Sequence, residues 1–291
     1  MSTLSIFTIV AAFGGGVIGA YMGALPVFIL TGVIAIAGGI ATMAGAADLS
    51  IGFIAFGSYL GPHVAFAGGV GAAAYAGRMK KLESGTDILS SLNGIADPMT
   101  LFVGGIFGVL GAIIFYLVGT VTNIPTDHPA TGVLILALVA RFAFGKTGLT
   151  GKYEGKGKRE WFTGGNGMIC NILLGLGIGT AVGFVPGAMK AAGVADAAIG
   201  AFPVVAFGIA AVSLIFTQTG FATPATHHIA YPAACAAVWS GNPIMGIVFG
   251  ILGALLGDFF GKSLNSHVDT HIDPPATTIF VLIFVATMLF Q

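Results

Sequence analysis

Charge is what this chain has least of. Only 8% of its 291 residues are charged, about a third of the roughly 25% usual in soluble domains, and 56% are hydrophobic. A water-facing surface cannot be built from so few charges, so the composition excludes a soluble globular domain. The 11 Lys and Arg balance 11 Asp and Glu, and most of the bases gather in two connections, which leaves no basic face for nucleic acid. Cysteine is nearly absent too. Cys170 and Cys235 lie in apolar surroundings without CxxC or metal-ligand spacing, so they read as packing residues and not as a disulfide.

The excess is in glycine, with 47 residues placed mostly inside apolar runs. Within a bilayer, small residues let helix backbones approach closely. Gly104, Gly105 and Gly108 fit that use, as do Gly253 and Gly257. Gly14-Gly15-Gly16-Val17-Ile18-Gly19 partly matches GxGxxG, but it lies in an apolar span with no strand before it, so a dinucleotide site is discounted.

Apolar segments fall near 5–23, 25–45, 51–77, 99–121 and 129–145, and again near 166–186, 199–216, 225–240, 243–261 and 275–291. A span needs about 20 apolar residues, so most qualify, while 51–77 is long for one crossing and 225–240 is short. No Lys or Arg precedes the first segment and others follow it, so it reads as a retained span and not a cleaved leader. The expected fold is an all-α integral membrane protein of about ten transmembrane helices in two inverted five-helix repeats with broken or re-entrant segments. The expected division is 1–145 for the first repeat, 146–164 for a basic cytoplasmic linker and 165–291 for the second repeat.

The repeat rests on matched motifs. Asp127-His128-Pro129-Ala130-Thr131 and Asp273-Pro274-Pro275-Ala276-Thr277 lie 146 residues apart, and Asp97-Pro98 matches Asn242-Pro243 at an offset of 145. Weaker matches join Pro62-His63-Val64-Ala65-Phe66 to His227-His228-Ile229-Ala230-Tyr231, and Leu25-Pro26-Val27 to Phe202-Pro203-Val204. Five spans per copy is odd, so the second copy enters from the opposite side. Basic residues at 78–81 and 146–159 put both loops in the cytoplasm by the positive-inside rule, with both termini outside.

The chemistry is expected where each half breaks its helices. Lipid offers no hydrogen bonds, so polar, Gly- and Pro-broken chain at membrane depth must be buried in protein or line a wet cavity. The passage 217–228 contributes Thr217, Gln218, Thr219, Thr223, Thr226, His227 and His228, and 46–63 contributes Asp48, Ser50, Ser58 and His63. Broken helices at matching repeat positions point to a transport site, because opened helix ends present free N–H and C=O groups.

The expectation is therefore a transporter, not an enzyme, that moves a small polar or anionic solute by ion-coupled alternating access. It needs no cofactor beyond a coupling Na+ or H+ at Asp48. Its partners are the lipid bilayer and the solute, with a homo-oligomer open, in a prokaryotic inner membrane. In architecture this resembles secondary transporters and the inverted-repeat urea channels, so a passive channel is the alternative. A second alternative is an intramembrane metalloenzyme using His267 and His271, which would share a helix face but sit beside Pro274-Pro275 without an HExxH motif.

Other polar residues have local readings. Asp127 and Asp273 stand two residues before prolines and read as helix caps, and Asp97 and Asn242 as caps or turn residues. Asp258 is spaced to pair with Lys262 one turn on. Arg141, close to the basic linker, is expected to snorkel to the cytoplasmic surface.

Overall fold

The computed structural model describes residues 4–46 and 51–291. The described residues are helical, with a single bridge between Gly85 and Thr270 as the only extended pairing among them. The first half contains α1 (Ile6–Met22), α2 (Ala24–Met43), α3 (Ala67–Arg78), α4 (Pro98–Tyr116) and α5 (His128–Phe144). After 145–164 come α6 (Gly165–Ala191), α7 (Asp196–Val212), the short α8 (Ile215–Gln218), α9 (His227–Ser240), α10 (Pro243–Leu264) and α11 (Pro274–Phe290).

Local chemistry sets the boundaries. Gly23 ends α1 and begins α2 at φ 96, where an added Cβ would also meet the Ser90 carbonyl at 2.7 Å. No other residue suits both demands. Four helices start on an Asx cap followed by proline. Asp97 receives the Thr100 amide, Asp127 that of Ala130, Asn242 that of Ile244 and Asp273 that of Ala276. The cap satisfies one orphan donor, and proline supplies a preset φ where its missing N–H costs nothing.

Among the described residues, five helices are long and apolar enough to cross a membrane: Ala24–Met43, Pro98–Thr122, Gly165–Ala191, Asp196–Gln218 and Pro243–Leu264. The second of these is α4 continued by a π-helical turn, Leu117–Thr122, and the fourth runs through α7 and α8. The other apolar segments are shorter. α1, α5 and α11 have 17 residues each, about 25 Å of helix. The long segment 51–77 is divided by π-helical turns at Ile51–Ala55 and Pro62–Phe66 before α3. α3 is buried from Ala67 through Ala74, and α9 buries His227 to Ala230 and Pro232 to Ala237. Both are enclosed by other helices, which their short Ala- and Gly-rich sequences permit.

The same packing occurs on each side of 145–164. α1 lies along α4 and α6 along α10, with α3 and α9 wedged behind these pairs. Glycines form the contact surfaces. A Cβ on Gly179 would fall 2.5 Å from the Gly246 carbonyl and one on Gly175 2.6 Å from that of Gly250, while Gly16 abuts Gly104 and Gly108 in the same way. The halves meet through α2 against α7 and α5 against α11. Their joint core includes Leu25, Phe28, Phe66, Val133, Phe207 and Ile279.

Three connections gather at one end. Gly85 bridges to Thr270, the Lys152 amide bonds the His267 carbonyl at 2.9 Å, and Gln218 Nε2 reaches the Leu89 carbonyl at 3.1 Å. Every Lys and Arg except Lys190 lies on these connections or in the helix turns entering them.

Two expectations need correction here. Arg141 does not snorkel. It is buried and donates to the carbonyls of Gly148, Leu149, Leu264 and Thr270 at 2.7–3.1 Å and to Thr270 Oγ1 at 2.5 Å, tying α5 to two connections. The guanidinium fork matches five acceptors that a hydrated surface would have left to water. Asp258 does not pair with Lys262 either. It accepts from the Thr163 amide at 2.7 Å and hydroxyl at 2.5 Å, and Lys262 turns to Glu160 at 3.4 Å.

Candidate functional site

Where the two halves meet, the structure forms a partly open cavity of about 1080 Å3, just above the roughly 300–1,000 Å3 usual for small-molecule sites. Its wall draws on both halves. Phe28 and Phe66 face Phe207 and Tyr231, and the capping carboxylates Asp127 and Asp273 both reach it.

In the second half, the broken passage delivers α9 to this cavity. Thr217 Oγ1 bonds the Thr223 carbonyl at 2.6 Å and closes the passage into a loop. Thr219 bonds back to the Ile215 carbonyl at 2.8 Å, and Gln218 is spent on Leu89. Thr226 precedes α9 without a side-chain cap bond. His227 and His228 then stand on the cavity wall, 5% and 7% exposed. The His227 ring lies 4.8 Å from Phe28 and 5.8 Å from Phe207, and neither histidine Nδ1 has a hydrogen-bond partner.

The first half treats its counterpart differently. His63 is fully buried, stacked on Phe115 at 4.4 Å, with neither ring nitrogen bonded. Its carbonyl abuts Gly111, and a Cβ on Gly132 would lie 2.8 Å from its own Cβ. Its neighbours Pro62 and Phe66 line the cavity, and His63 itself does not.

Of the residues singled out from sequence, Thr217, Thr223, His227 and His228 come together on the cavity wall. Ser58, His63, Gln218, Thr219 and Thr226 lie away from it, and Asp48 and Ser50 fall outside the described residues. Wall residues that were not among those candidates include Asp127, His128, Tyr231, His271 and Asp273. The Asp residues were legible only as caps, and the aromatic and histidine partners depend on contacts between halves.

Around Asp273 the geometry is specific. The Ala276 amide donates to Asp273 Oδ2 at 2.7 Å, and His271 Nε2 lies 3.2 Å from Oδ1. Tyr231, of the second half, faces the other carboxylate, Asp127, of the first. His271 also meets Asn265 at 3.1 Å, whereas His267, at φ 60, turns to Tyr153 at 5.1 Å. The two histidines of the metalloenzyme alternative thus have separate partners. Among the described residues, no three His, Cys, Asp or Glu side chains converge to hold one metal ion.

Outside the helices, Lys81 Nζ pairs with Asp97 at 2.9 Å. The Lys81 hydrogen bond, followed by that of Thr100, holds the Asp97 carboxyl below its ordinary range, and Asp97 raises the Lys81 ammonium above its own.

The chain matches the family described as "Family of unknown function (DUF7973)" over residues 1–158 and 177–291, and it belongs to that family. Neither the curated proteins nor the solved structures contain a match to it.

Proposed function

We propose that this protein is a permease for a small polar solute, built from two five-helix repeats inserted in opposite directions and working by ion-coupled alternating access. The observation that carries the reading is the cavity between the halves, reached by the π-helical turn before α3 and by the first residues of α9, where the chain breaks in each half. Transporters built on repeats bind solute at such a junction, because rocking one repeat against the other can open it to either side. Glycine-faced pairs α1/α4 and α6/α10 suit rigid bodies, while the halves touch through separate seams. The clustering of bases at one end supports a cytoplasmic placement of that end, and with it an orientation for the spans. The proposed coupling ion is H+ or Na+, and the proposed location is a prokaryotic cytoplasmic membrane.

Flux into sealed liposomes tests this. Purified protein is reconstituted, and uptake of radiolabelled small solutes is followed with and without an imposed proton or sodium gradient. Accumulation that collapses when the gradient is dissipated is the expected result. Equilibration at a rate indifferent to either gradient would identify a passive channel, and no uptake above empty liposomes would end the transport reading.

A further inference from the structure

The cavity carries an unbalanced charge. Asp127 and Asp273 both line it, and no Lys or Arg among the described residues pairs with either. The remaining charged wall residues, Asp258 and Lys262, are engaged by Thr163 and Glu160. His271 is not the missing countercharge. Asn265 Oδ1 accepts the Ile272 amide at 3.2 Å, so the Asn265 amide nitrogen is the donor to His271 Nδ1 at 3.1 Å. Nδ1 therefore carries no proton, and Nε2 donates its own to Asp273 Oδ1. The ring is a neutral donor, and every group bonded to Asp273 treats it as an acceptor.

Buried charge is costly unless paired. Between the two carboxylates runs a continuous aromatic wall. Tyr231 faces Asp127 and lies 6.0 Å from Phe207, Phe207 is 5.7 Å from Phe28, Phe28 is 5.6 Å from Phe66, and Phe66 is 6.2 Å from His271. Aromatic faces attract cations electrostatically and offer apolar area at the same time. His227 adds a ring more than nine-tenths buried on the same wall, with Nδ1 unpartnered.

We infer that the cavity takes a solute bearing a protonated amine on a compact apolar body, with the ammonium drawn to Asp127 and Asp273 and the body lying on the aromatic wall. An anion there would meet two carboxylates, and Lys262, the one Lys or Arg on the wall, is already paired with Glu160. The permease reading is needed for movement of this solute across the membrane but not for its binding.

Trp239 lines the cavity, and Trp161 is the chain's other tryptophan, so the Trp161→Phe protein reports binding through Trp239 fluorescence. Three probes share one ring and differ in charge: phenethylammonium, phenylacetate and 2-phenylethanol. Phenethylammonium is expected to bind saturably and at least about tenfold more tightly than phenylacetate. Asp127→Asn and Asp273→Asn, each keeping a good cap residue, are expected to weaken the amine at least about tenfold and leave 2-phenylethanol unchanged. Equal or tighter binding of phenylacetate, absence of amine binding, or unchanged amine binding in both variants would overturn the inference. Should a variant fail to fold, the three-probe comparison in the Trp161→Phe protein decides alone. The same probes in sealed liposomes separate the two readings. Amine binding without uptake removes the permease and keeps the cation site, and uptake of phenylacetate or 2-phenylethanol without amine binding does the reverse.

Discussion

The two halves use one packing scheme but finish their interior helices in opposite ways. α3 is entered through the turn Pro62–Phe66, whose His63 is sealed against Phe115. α9 is entered through Thr226, and its histidines stand on the cavity. The carboxylates diverge similarly, since Asp127 faces a tyrosine of the other half and Asp273 is held by a histidine of its own. A shared scaffold with unlike linings separates the residues that hold the bundle from those that face the cavity.

The largest effect should be common to both halves. Gly179→Leu places a side chain against the Gly246 carbonyl, and Gly16→Leu does the same at Gly104. Overpacking costs about 1–3 kcal/mol where side chains can shift, and here backbone must move, so neither variant should yield folded protein on size exclusion in detergent. Gly177→Leu on the same helix, with nothing within 4 Å of the added carbon, should behave as the parent. A tolerated Gly179→Leu would break the equivalence of the two helix pairs.

Next is a difference between halves. Arg141 feeds five acceptors, whereas Thr287, its counterpart at the 146-residue offset, bonds only the Ile283 carbonyl of its own helix. Arg141→Met should cost roughly 3–5 kcal/mol by leaving buried acceptors bare, and Thr287→Val under about 1 kcal/mol. Detergent melting curves would show the contrast, and similar shifts for both would remove it.

The histidines sharpen the comparison further. His63→Phe removes two unbonded, fully buried ring nitrogens, so its melting temperature should be unchanged or higher, by the equivalent of about 1 kcal/mol. His228→Phe should alter solute uptake more than melting. A specific uptake defect in His63→Phe would move the site toward the first half.

How much of this was legible in the sequence depends on how local each cause is. Asp127, Asp273, Asp97 and Asn242 read correctly as caps because capping needs only the next three residues. The glycine contact faces were visible in the same way. Arg141 and Asp258 were misread because their true partners, Leu264 and Thr163, lie 123 and 95 residues away, and a spacing argument finds only neighbours in sequence. A second role for Asp127 and Asp273 as cavity wall was hidden for the same reason. The polar passage 217–228 was conspicuous, yet Gln218 and Thr219 spend their hydrogen bonds on Leu89 and Ile215.

The smallest effect concerns the partly exposed pair Lys81–Asp97, which has no equivalent at Asn242. Asp97 is held below its ordinary value, so its contribution to stability is present above the unfolded carboxyl range and is lost as pH falls through the lowered folded value. Lys81 is raised, so its share is complete below the unfolded lysine range and disappears as pH climbs through the raised value. Asp97→Asn should therefore lower the melting temperature slightly at neutral pH and converge with the parent as the pH falls, flattening the acid limb of the melting profile. An unaltered acid limb would show the pair to be idle.

The opposed insertion of the two repeats is tested most directly by single-cysteine labelling in sealed, oriented vesicles. In a Cys170→Ala, Cys235→Ala background, single cysteines at Ser84, Lys156, Ser240 and Gln291 are exposed to a membrane-impermeant maleimide from each side. Ser84 follows the interior helix α3 and Ser240 ends the interior helix α9, so opposed repeats predict labelling of Ser84→Cys and Lys156→Cys from the cytoplasmic face and of Ser240→Cys and Gln291→Cys from the outer face. Labelling of Ser84→Cys and Ser240→Cys from the same face would contradict it.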